Sequence, residues 1–293
     1  MRRPAAFAGN RNRTVILLVR DIGNPFYLEI FKGVEESAGA AGYKVLMGDA
    51  RNDEARIVEH VDLVRQRHAD GLILMTGHLP ADLIRHPERL PPLVVASEPI
   101  PGLDMPMVRI DSISASRQAV QYLLEKGHRR IAHLGGPAGE SLAAERREGY
   151  RQALAGAGLS PSPELETSGD YSVKAGRRGV RDLLDAGHGF TAIFAASDQM
   201  AIGAISELRR RGLAVPADIS VIGFDDIIFA DVFEPGLTTV RQPRHEMGRQ
   251  AMALMVARLA GEPVKPVVQL ETELVIRGSV AALGPAETAK GSA

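Results

Sequence analysis

Short apolar runs alternate along the first part of the chain with longer segments whose apolar residues recur at helical spacing. The runs are rich in Val, Ile and Leu, which is typical of strands buried on both faces of a sheet. They lie at residues 14–20, 43–48, 70–75 and 92–97. Residues 25–42 and 53–68 place apolar side chains three or four positions apart, and this spacing predicts a helix in each segment.

The same alternation starts again after residue 111. It predicts helices at residues 112–126, 140–158, 172–186, 198–211 and 244–261. It predicts strands at residues 131–135, 165–169, 192–196, 220–224 and 267–277, with an extended segment at 238–240. Two successive sets of strands and helices predict an α/β fold of two doubly wound lobes, each built on a parallel sheet.

Two such lobes imply a cleft, and doubly wound sheets bind ligands beyond the carboxyl ends of their strands. Polar or aromatic residues lie at or just after several predicted strand ends: Asp21, Phe26, Tyr27, Ser97, Tyr171, Ser197 and Asp225. An Asp or Ser in this position is also the usual N-cap of the next helix. Both roles remain open for the polar residues, although aromatic rings beside polar groups are typical of a small-molecule site.

Arg146 lies early in the predicted helix 140–158, where two environments are open to it. On the solvent side it would belong to a charged surface, as expected for its neighbour Arg147. In a cleft that also holds Asp225 and Asp198, its guanidinium would be a fork for ligand hydroxyls or a carboxylate.

The composition is that of a globular protein with room for two lobes, since the chain has 293 residues and a mass of 31.4 kDa. It contains no cysteine, which excludes disulfides, thiolate metal sites and cysteine nucleophiles. No apolar run is long enough for a membrane span, and the N-terminus lacks the apolar region of a secretory signal. We therefore expect a cytoplasmic protein, with a processed periplasmic protein as the alternative.

Positive charge is concentrated at the N-terminus, where Arg2, Arg3, Arg11 and Arg13 occur without an acidic residue. Since the whole chain has a formal net charge of −1, the remaining residues carry −5. A body of this sign offers no broad surface for phosphates, so any DNA contact would need this arm or a segment before it. The arm is equally consistent with a disordered leader.

Catalytic and cofactor motifs are absent from the sequence. The first strand is followed by DIGNPF rather than a dinucleotide-binding glycine turn, and GGPAG at 135–139 has the wrong spacing for one. There is no phosphate-binding loop lysine and no pair of histidines at helical spacing for zinc. We therefore expect no enzyme activity, no cofactor and no metal.

A set of motifs spread from about residue 13 to residue 279 identifies a resemblance to a known family. The motifs are NPFY (24–27), DGLI (70–73), GHRRI (127–131), RREGY (146–150), SDQMA (197–201), VPADISVIGFDD (215–226), LTTVRQP (237–243) and ELVIRG (273–278). Together they make the chain similar to the effector-binding core of the lactose-repressor (LacI) family of bacterial transcription regulators. The stretches VLMGD (45–49), LPPLVVASE (90–98) and LVIRGS (274–279) resemble its cytidine-repressor branch.

The resemblance implies a periplasmic-binding-protein-like fold (type I) with three chain crossovers, near residues 110–111, 240–242 and 270–272. The N-terminal lobe would then comprise residues 14–110 with 243–270, and the C-terminal lobe residues 111–242 with 271–281. Residues 1–13 would be a disordered linker remnant, and residues 282–293 a disordered tail.

The resemblance also implies a ligand site. By their position in the motifs, the expected contacts are Asp21, Phe26, Tyr27, Ser97, Arg146, Tyr171, Ser197, Asp225 and Gln242. Tyr171 matches a ring that stacks on the ligand, and Arg146 and Asp225 match the pair that holds ligand hydroxyls. Most relatives carry Asp-Arg where this chain has Ser97-Glu98. This departure favours a nucleoside such as cytidine over a sugar.

Members of the family form homodimers, largely through the lobe that contains the N-terminal strand and the helix after it. They bind operator DNA through a helix-turn-helix headpiece, which precedes the core and does not occur in this sequence. The expected function is therefore the ligand-binding and dimerisation core of a transcriptional regulator, which we expect to be a repressor by family analogy. The alternatives are a sugar or nucleoside solute-binding protein of an ABC transporter, and an enzyme on a related two-lobed fold.

Overall fold

The structure, a computed structural model, describes residues 12–283. The predicted linker remnant 1–13 and tail 282–293 lie outside this range, apart from two residues at the inner end of each. Within the described range the chain divides into two compact units, each made from two segments. Unit 1 contains residues up to 109 and residues 243–270, and unit 2 contains residues 110–242 and those from 271.

Twelve β-strands occur in the described part of the chain. In chain order they are β1 (Thr14–Val19), β2 (Lys44–Asp49), β3 (Gly71–Met75), β4 (Leu93–Ala96), β5 (Met107–Ile110), β6 (Ile131–Gly135), β7 (Glu166–Ser168), β8 (Ala192–Ala195), β9 (Ser220–Asp225), β10 (Thr238–Arg241), β11 (Val267–Leu270) and β12 (Glu273–Val275).

Nine α-helices occur in the same range. They are α1 (Phe26–Ala40), α2 (Glu54–Arg65), α3 (Ala81–Arg85), α4 (Ser112–Glu125), α5 (Ser141–Gly156), α6 (Val173–Asp185), α7 (Asp198–Arg210), α8 (Phe229–Val232) and α9 (Arg244–Ala260).

Unit 1 is built on a six-stranded sheet with the order β2-β1-β3-β4-β5-β11. The first five strands are parallel, and the three inner ones, β1, β3 and β4, are apolar on both faces, as expected where helices cover a sheet. One face packs Ile16 and Leu72 against Ile57 and Val61 of α2. On the same sheet, α1 packs against β2 and α9 packs against β3 and β4.

Unit 2 repeats this plan with the strand order β7-β6-β8-β9-β10-β12. Its strands are parallel except β12, which runs antiparallel to β10 at the edge. Leu134, Ile193 and Val221 pack in one apolar cluster with residues of α6 and α7, such as Val180 and Leu208. The two sheets confirm the predicted α/β class with doubly wound, mainly parallel lobes.

The prediction of one final strand at 267–277 is wrong. Glu271 and Thr272 separate β11 from β12, and the two strands belong to different sheets. Both strands are exposed at alternate positions, so their hydrophobic pattern is continuous and does not mark the break. The prediction also missed β5, α3 and α8, which have six or fewer residues and too few apolar side chains for a clear period.

Asp226 forms ion pairs that join three segments of unit 2 at the edge of its sheet. Asp226, which follows β9, accepts a hydrogen bond of 2.7 Å from Nε of Arg241, and its Oδ1 lies 2.8 Å from the guanidinium of Arg277. Arg241 ends β10 and Arg277 follows β12, so one carboxylate pairs with side chains from two strands at the edge of the sheet. Asp226 is nearly buried, and its two partners neutralise it there.

Two helices of unit 1 cross in close contact because each has a glycine at the crossing. A Cβ on Gly33 of α1 would lie 1.9 Å from the carbonyl oxygen of His245 in α9. A Cβ on Gly248 of α9 would lie 2.1 Å from the carbonyl oxygen of Ile30. Since both obstacles are backbone atoms, a side chain at either position would force the helices apart.

We predict that Gly33→Ala destabilises the protein by about 1–3 kcal/mol, the usual cost of overpacking a well-packed contact. Gly39→Ala in the same helix is the matched control, because a Cβ there meets nothing within 4 Å. In a helix Ala is favoured over Gly by about 0.5–1 kcal/mol, so the control should be neutral or stabilising. Urea unfolding measures both variants, and an equal effect of the two would contradict the close crossing.

Candidate functional site

Five of the nine predicted ligand contacts lie together at the carboxyl ends of the strands of unit 2. They are joined by hydrogen bonds, an ion pair and a ring contact, and we call them the strand-end cluster: Arg146, Tyr171, Ser197, Asp225 and Gln242. The residues come from α5, from the end of β9 and from segments after β7, β8 and β10, which are brought to one edge by the parallel sheet.

Arg146 is buried, with 3% of its surface exposed, so its position on a solvated face is excluded. Its guanidinium carbon lies 3.9 Å from the centre of the Phe224 ring, in a cation–π contact. One terminal nitrogen donates to the carbonyl oxygen of Ala196, and the other lies 3.7 Å from Oδ1 of Asp225. A buried guanidinium needs such partners, because an unpaired charge in the interior is costly.

Asp225 is the last residue of β9 and has a φ of 121°, in the range that disfavours residues with a side chain. Its Oδ1 accepts a hydrogen bond of 2.8 Å from Nε2 of Gln242, which follows β10. Backbone strain of this kind costs about 1–3 kcal/mol and concentrates at binding and catalytic sites. Here the strain places the carboxylate within reach of Arg146 and Gln242.

Nε of Arg146, which is a donor, and Oε1 of Gln242, which is an acceptor, are buried and have no hydrogen-bond partner among the described residues. Buried polar groups are nearly always satisfied, so each such atom needs an explanation. A ligand hydroxyl both donates and accepts, and it therefore matches this pair of atoms.

Tyr171 and Ser197 are linked through the loop before α6. The Ser197 hydroxyl donates to the carbonyl oxygen of Tyr171 at 3.0 Å, and it accepts from the amide of Met200 at 3.2 Å. Ser197 is thus the N-cap of α7, the alternative role that its position after a strand suggested. Tyr171 has a φ of 65°, and its ring centre lies 5.8 Å from the guanidinium carbon of Arg146.

Asp198 is a buried acid beside the cluster, and it was not among the predicted contacts. Its carboxylate accepts from the amide of Ile227 at 2.8 Å and from the hydroxyl of Thr239 at 2.5 Å. Burial, together with the nearby negative charge of Asp225, raises the pKa of Asp198 from its ordinary 3.8 to about 7. The sequence places Asp198 with Asp225 on the cleft side of Arg146, but its position after Ser197 in SDQMA also resembles an ordinary helix start.

In unit 1 the four other predicted contacts follow β1 and β4 at the corresponding edge. The Phe26 and Tyr27 rings are both buried and meet edge to face, with centres 5.2 Å apart. Asp21 is exposed, and its Oδ1 accepts from the amide of Gly23 at 2.8 Å. Ser97 has a φ of 71°, which is another left-handed residue at a strand end. The two rings are thus brought together, while Asp21 shapes the loop that leads to them.

The same edge holds a buried ion pair that sequence reasoning missed. Nη2 of Arg20 donates to Oε2 of Glu98 at 2.9 Å and to the carbonyl oxygen of Thr76 at 3.1 Å. A Cβ on Gly77 would lie 2.3 Å from the Glu98 carboxyl, so the pair fills the space over this glycine. Arg20 directly follows the apolar run of β1, and for this reason the sequence did not indicate it as a site residue. Glu98 had been noted only as a departure from the family.

In the range 12–283, no group of three or more His, Asp or Glu side chains is placed to hold a metal ion. No helix in that range has both the length and the apolar content needed to cross a bilayer.

Comparisons with known proteins agree with the α/β fold described above. Residues 120–280 match the family described as "Periplasmic binding protein-like domain". The chain is 41% identical over 276 residues to the HTH-type transcriptional repressor CytR of Escherichia coli K12. That match covers 94% of this chain and 81% of CytR.

Two solved structures extend the comparison. A transcriptional regulator CelR–cellobiose complex has a TM-score of 0.83 and 35% identity, covering 94% of this chain and 86% of CelR. A putative LacI-family transcriptional regulator of Sanguibacter keddieii has a TM-score of 0.82 and 32% identity. The second match covers 92% of this chain and 99% of that one.

The pKa of Asp198 predicts a pH dependence of stability. Since the folded state raises this pKa, the carboxyl favours folding at low pH, and its contribution is lost as the pH rises through about 7. A tenfold change in proton affinity is worth about 1.4 kcal/mol, so we expect a loss above about 1 kcal/mol between pH 4 and pH 8. Asp198→Asn should lack this loss and therefore gain stability relative to the wild type as the pH rises.

Urea unfolding at several pH values checks this expectation. Asp182→Asn is the control, because the Asp182 side chain is 59% exposed on α6. Parallel pH profiles for the wild type and Asp198→Asn would show that the Asp198 carboxyl does not titrate as inferred.

Proposed function

Since the chain belongs to the LacI family of transcriptional regulators and forms the effector-binding core of that family, we propose that its effector is a nucleoside such as cytidine. The effector binds the strand-end cluster and changes the affinity of the regulator for operator DNA. The proposal places the protein in the cytoplasm, where operator DNA lies.

One observation carries the nucleoside proposal: the strand-end cluster combines hydroxyl-binding groups with an aromatic ring. The Asp225 carboxylate and Oε1 of Gln242 accept from ribose hydroxyls, and Nε of Arg146 donates to one. The Tyr171 ring stacks on the base, since flat aromatic surfaces of this kind attract one another. A free sugar would bind to the hydroxyl-binding groups, but it has no flat base to stack on the Tyr171 ring.

The relatives support a repressor in the CytR part of the family, in agreement with the branch predicted from the motifs. They also favour a regulator over the solute-binding alternative, and the chain is not an enzyme. A sugar is the second candidate effector, because the similar CelR structure is a complex with cellobiose. The two candidates differ in the flat base, so they can be separated by comparing cytidine with ribose.

In unit 1 the proposed effector contacts are Asp21, Phe26, Tyr27 and Ser97. Ser197, which belongs to the strand-end cluster of unit 2, is a further proposed contact. Regulation requires that the effector bind two conformations of the chain with different affinities. A coupling free energy of about 1–3 kcal/mol would change operator affinity by roughly 5–150-fold.

We also propose that the regulator acts as a homodimer, formed through unit 1. Leu28 on α1 and Leu46 on β2 are 49% and 56% exposed, although both are large and apolar. The helix and the strand pack against each other, and β2 is an edge strand of its sheet. A second copy of unit 1 packed along this edge would bury both apolar side chains.

We predict that Arg146→Ala weakens cytidine binding by about 10–100-fold, since it removes a buried charged donor worth about 1.5–3 kcal/mol. Isothermal titration calorimetry with cytidine, ribose and cellobiose measures the affinities. Arg147→Ala is the control, because Arg147 is the next residue of α5 and is exposed. The melting temperature of each variant shows whether it is folded.

Three results would separate the candidates. Tighter binding of cytidine than of ribose or cellobiose supports the nucleoside. Tight binding of cellobiose alone would favour the sugar. Cytidine affinity that is the same in Arg146→Ala as in the wild type would reject the assigned role of Arg146.

We predict that Leu46→Glu raises the dissociation constant of the dimer by at least about tenfold, because a buried Leu contributes about 1.5–3 kcal/mol. Sedimentation velocity at tens of micromolar should show a dimer for the wild type and more monomer for the variant. Val173→Glu in unit 2 is the control, with Val173 38% exposed. A monomeric wild type would contradict the proposed assembly.

A further inference from the structure

A cavity lies within unit 2 next to the strand-end cluster, since its lining residue Gly136 is covered by the Tyr171 ring. Its volume is about 440 Å³, and it is bordered by the ends of β6 and β7, the glycine-rich loop 135–139 and the first turns of α5. No residue of the strand-end cluster lines it. The loop is the GGPAG segment whose spacing does not fit dinucleotide binding.

His133 on β6 contributes an unusual polar group to this cavity. Its ring is stacked between Tyr150 and Phe194, with centres 5.0 Å and 5.2 Å away. Nδ1 lies 3.1 Å from the carbonyl oxygen of Phe194, so Nδ1 carries the proton and Nε2 is an acceptor. The side chain is buried, with 1% exposed, and Nε2 has no hydrogen-bond partner in the described part of the chain.

Gly135 has no side chain, and this leaves Nε2 facing the cavity. Gly135 follows His133 by two positions on β6, so both project from the same face of the sheet. A Cβ on Gly135 would lie 3.4 Å from Nε2 of His133, and both residues line the cavity. Burial lowers the pKa of His133 to about 4, so the ring is neutral near pH 7. The cavity floor therefore offers a fixed acceptor to a ligand donor.

The α5 side of the cavity carries two arginines, Arg147 and Arg151, and two glutamates, Glu140 and Glu166, so its formal charge is balanced. The amino end of α5 points N–H groups toward the cavity wall, and its N-cap residue Glu140 makes no side-chain capping hydrogen bond. Arg151 is neutralised by Glu166 through two hydrogen bonds of 3.0 Å each. Among the lining residues, Arg147 supplies a further cation that is exposed, and the Glu140 carboxylate supplies an acceptor for further hydroxyls.

We propose that this cavity is a second ligand site, which binds a small phosphorylated polyol. A hydroxyl of the ligand donates to Nε2 of His133, and its phosphate lies at the amino end of α5 beside Arg147. Glycine-rich loops that lead into a helix bind phosphates in this way, because the backbone approaches closely and the helix dipole attracts an anion. The site needs both ends of the ligand, so neither a free polyol nor inorganic phosphate satisfies it.

Calorimetry on the full chain tests the proposal with three probes: ribose 5-phosphate, glycerol 3-phosphate and glucose 6-phosphate. At least one should bind with a dissociation constant below about 1 mM and at least about tenfold more tightly than ribose or inorganic phosphate. Arg147→Gln should weaken that probe by about tenfold or more, since it removes a charged partner of the phosphate. Arg178→Gln, an exposed arginine of α6, should not change the affinity.

His133→Phe tests the floor of the cavity, because Phe retains the ring stack and removes the Nε2 acceptor. This variant should bind the probe at least about tenfold more weakly. If His133→Phe does not fold, Ala144→Glu provides a second test. Ala144 is an exposed lining residue, and the new carboxylate repels the phosphate, so this variant should also bind the probe more weakly. In the wild type, the ¹⁵N resonance of Nε2 should move when the probe is added but not with inorganic phosphate.

Some results would overturn the proposal. One is no binding of any of the three probes below about 10 mM. Another is unchanged affinity in Arg147→Gln and Ala144→Glu. A third is loss of the probe in Arg146→Ala, which would place it in the strand-end cluster. A probe retained by Arg146→Ala supports two separate sites, whatever the result for cytidine.

Discussion

The buried charge of Arg146 is the constraint on which the binding edge of unit 2 depends. A guanidinium in the interior is stable only with partners, and removal of one partner from such a pair costs about 3–5 kcal/mol. Asp225, the carbonyl of Ala196 and the Phe224 ring supply them. The left-handed backbone at Asp225 is unfavourable by itself, and it persists because it directs the carboxylate to this charge.

Unit 1 also supplies a partner for its buried cation, but the two residues come from different elements than in unit 2. Its buried cation, Arg20, extends from the first strand, and its anion, Glu98, follows the fourth. In unit 2 the cation comes from a helix and the anion from the end of a strand. Each sheet thus carries a buried charge pair at the carboxyl ends of its strands, where doubly wound sheets bind their ligands.

Much of the fold was predictable because long apolar runs and helical periods dominate the sequence. The cluster around Arg146 was predictable from family motifs, but periodicity could not decide between a buried and an exposed Arg146, since that depends on which face of α5 meets the sheet. Arg20 was missed because it continues an apolar run. Asp198 was placed in the cleft but not among the nine contacts, because a buried acid and a helix cap have the same local sequence. The break between β11 and β12 depends on which sheet each strand joins, and this is a long-range property.

The division of each unit into two segments has a consequence for biosynthesis. Unit 1 lacks α9 until residue 260 has been made, and until then the Gly33 face of α1 has no helix to pack against. Unit 2 lacks Arg277, a partner of Asp226, until residue 277 has been made. Neither unit can therefore reach its final packing before its second segment has been made, and until then the partly made chain exposes apolar surface that is prone to aggregation.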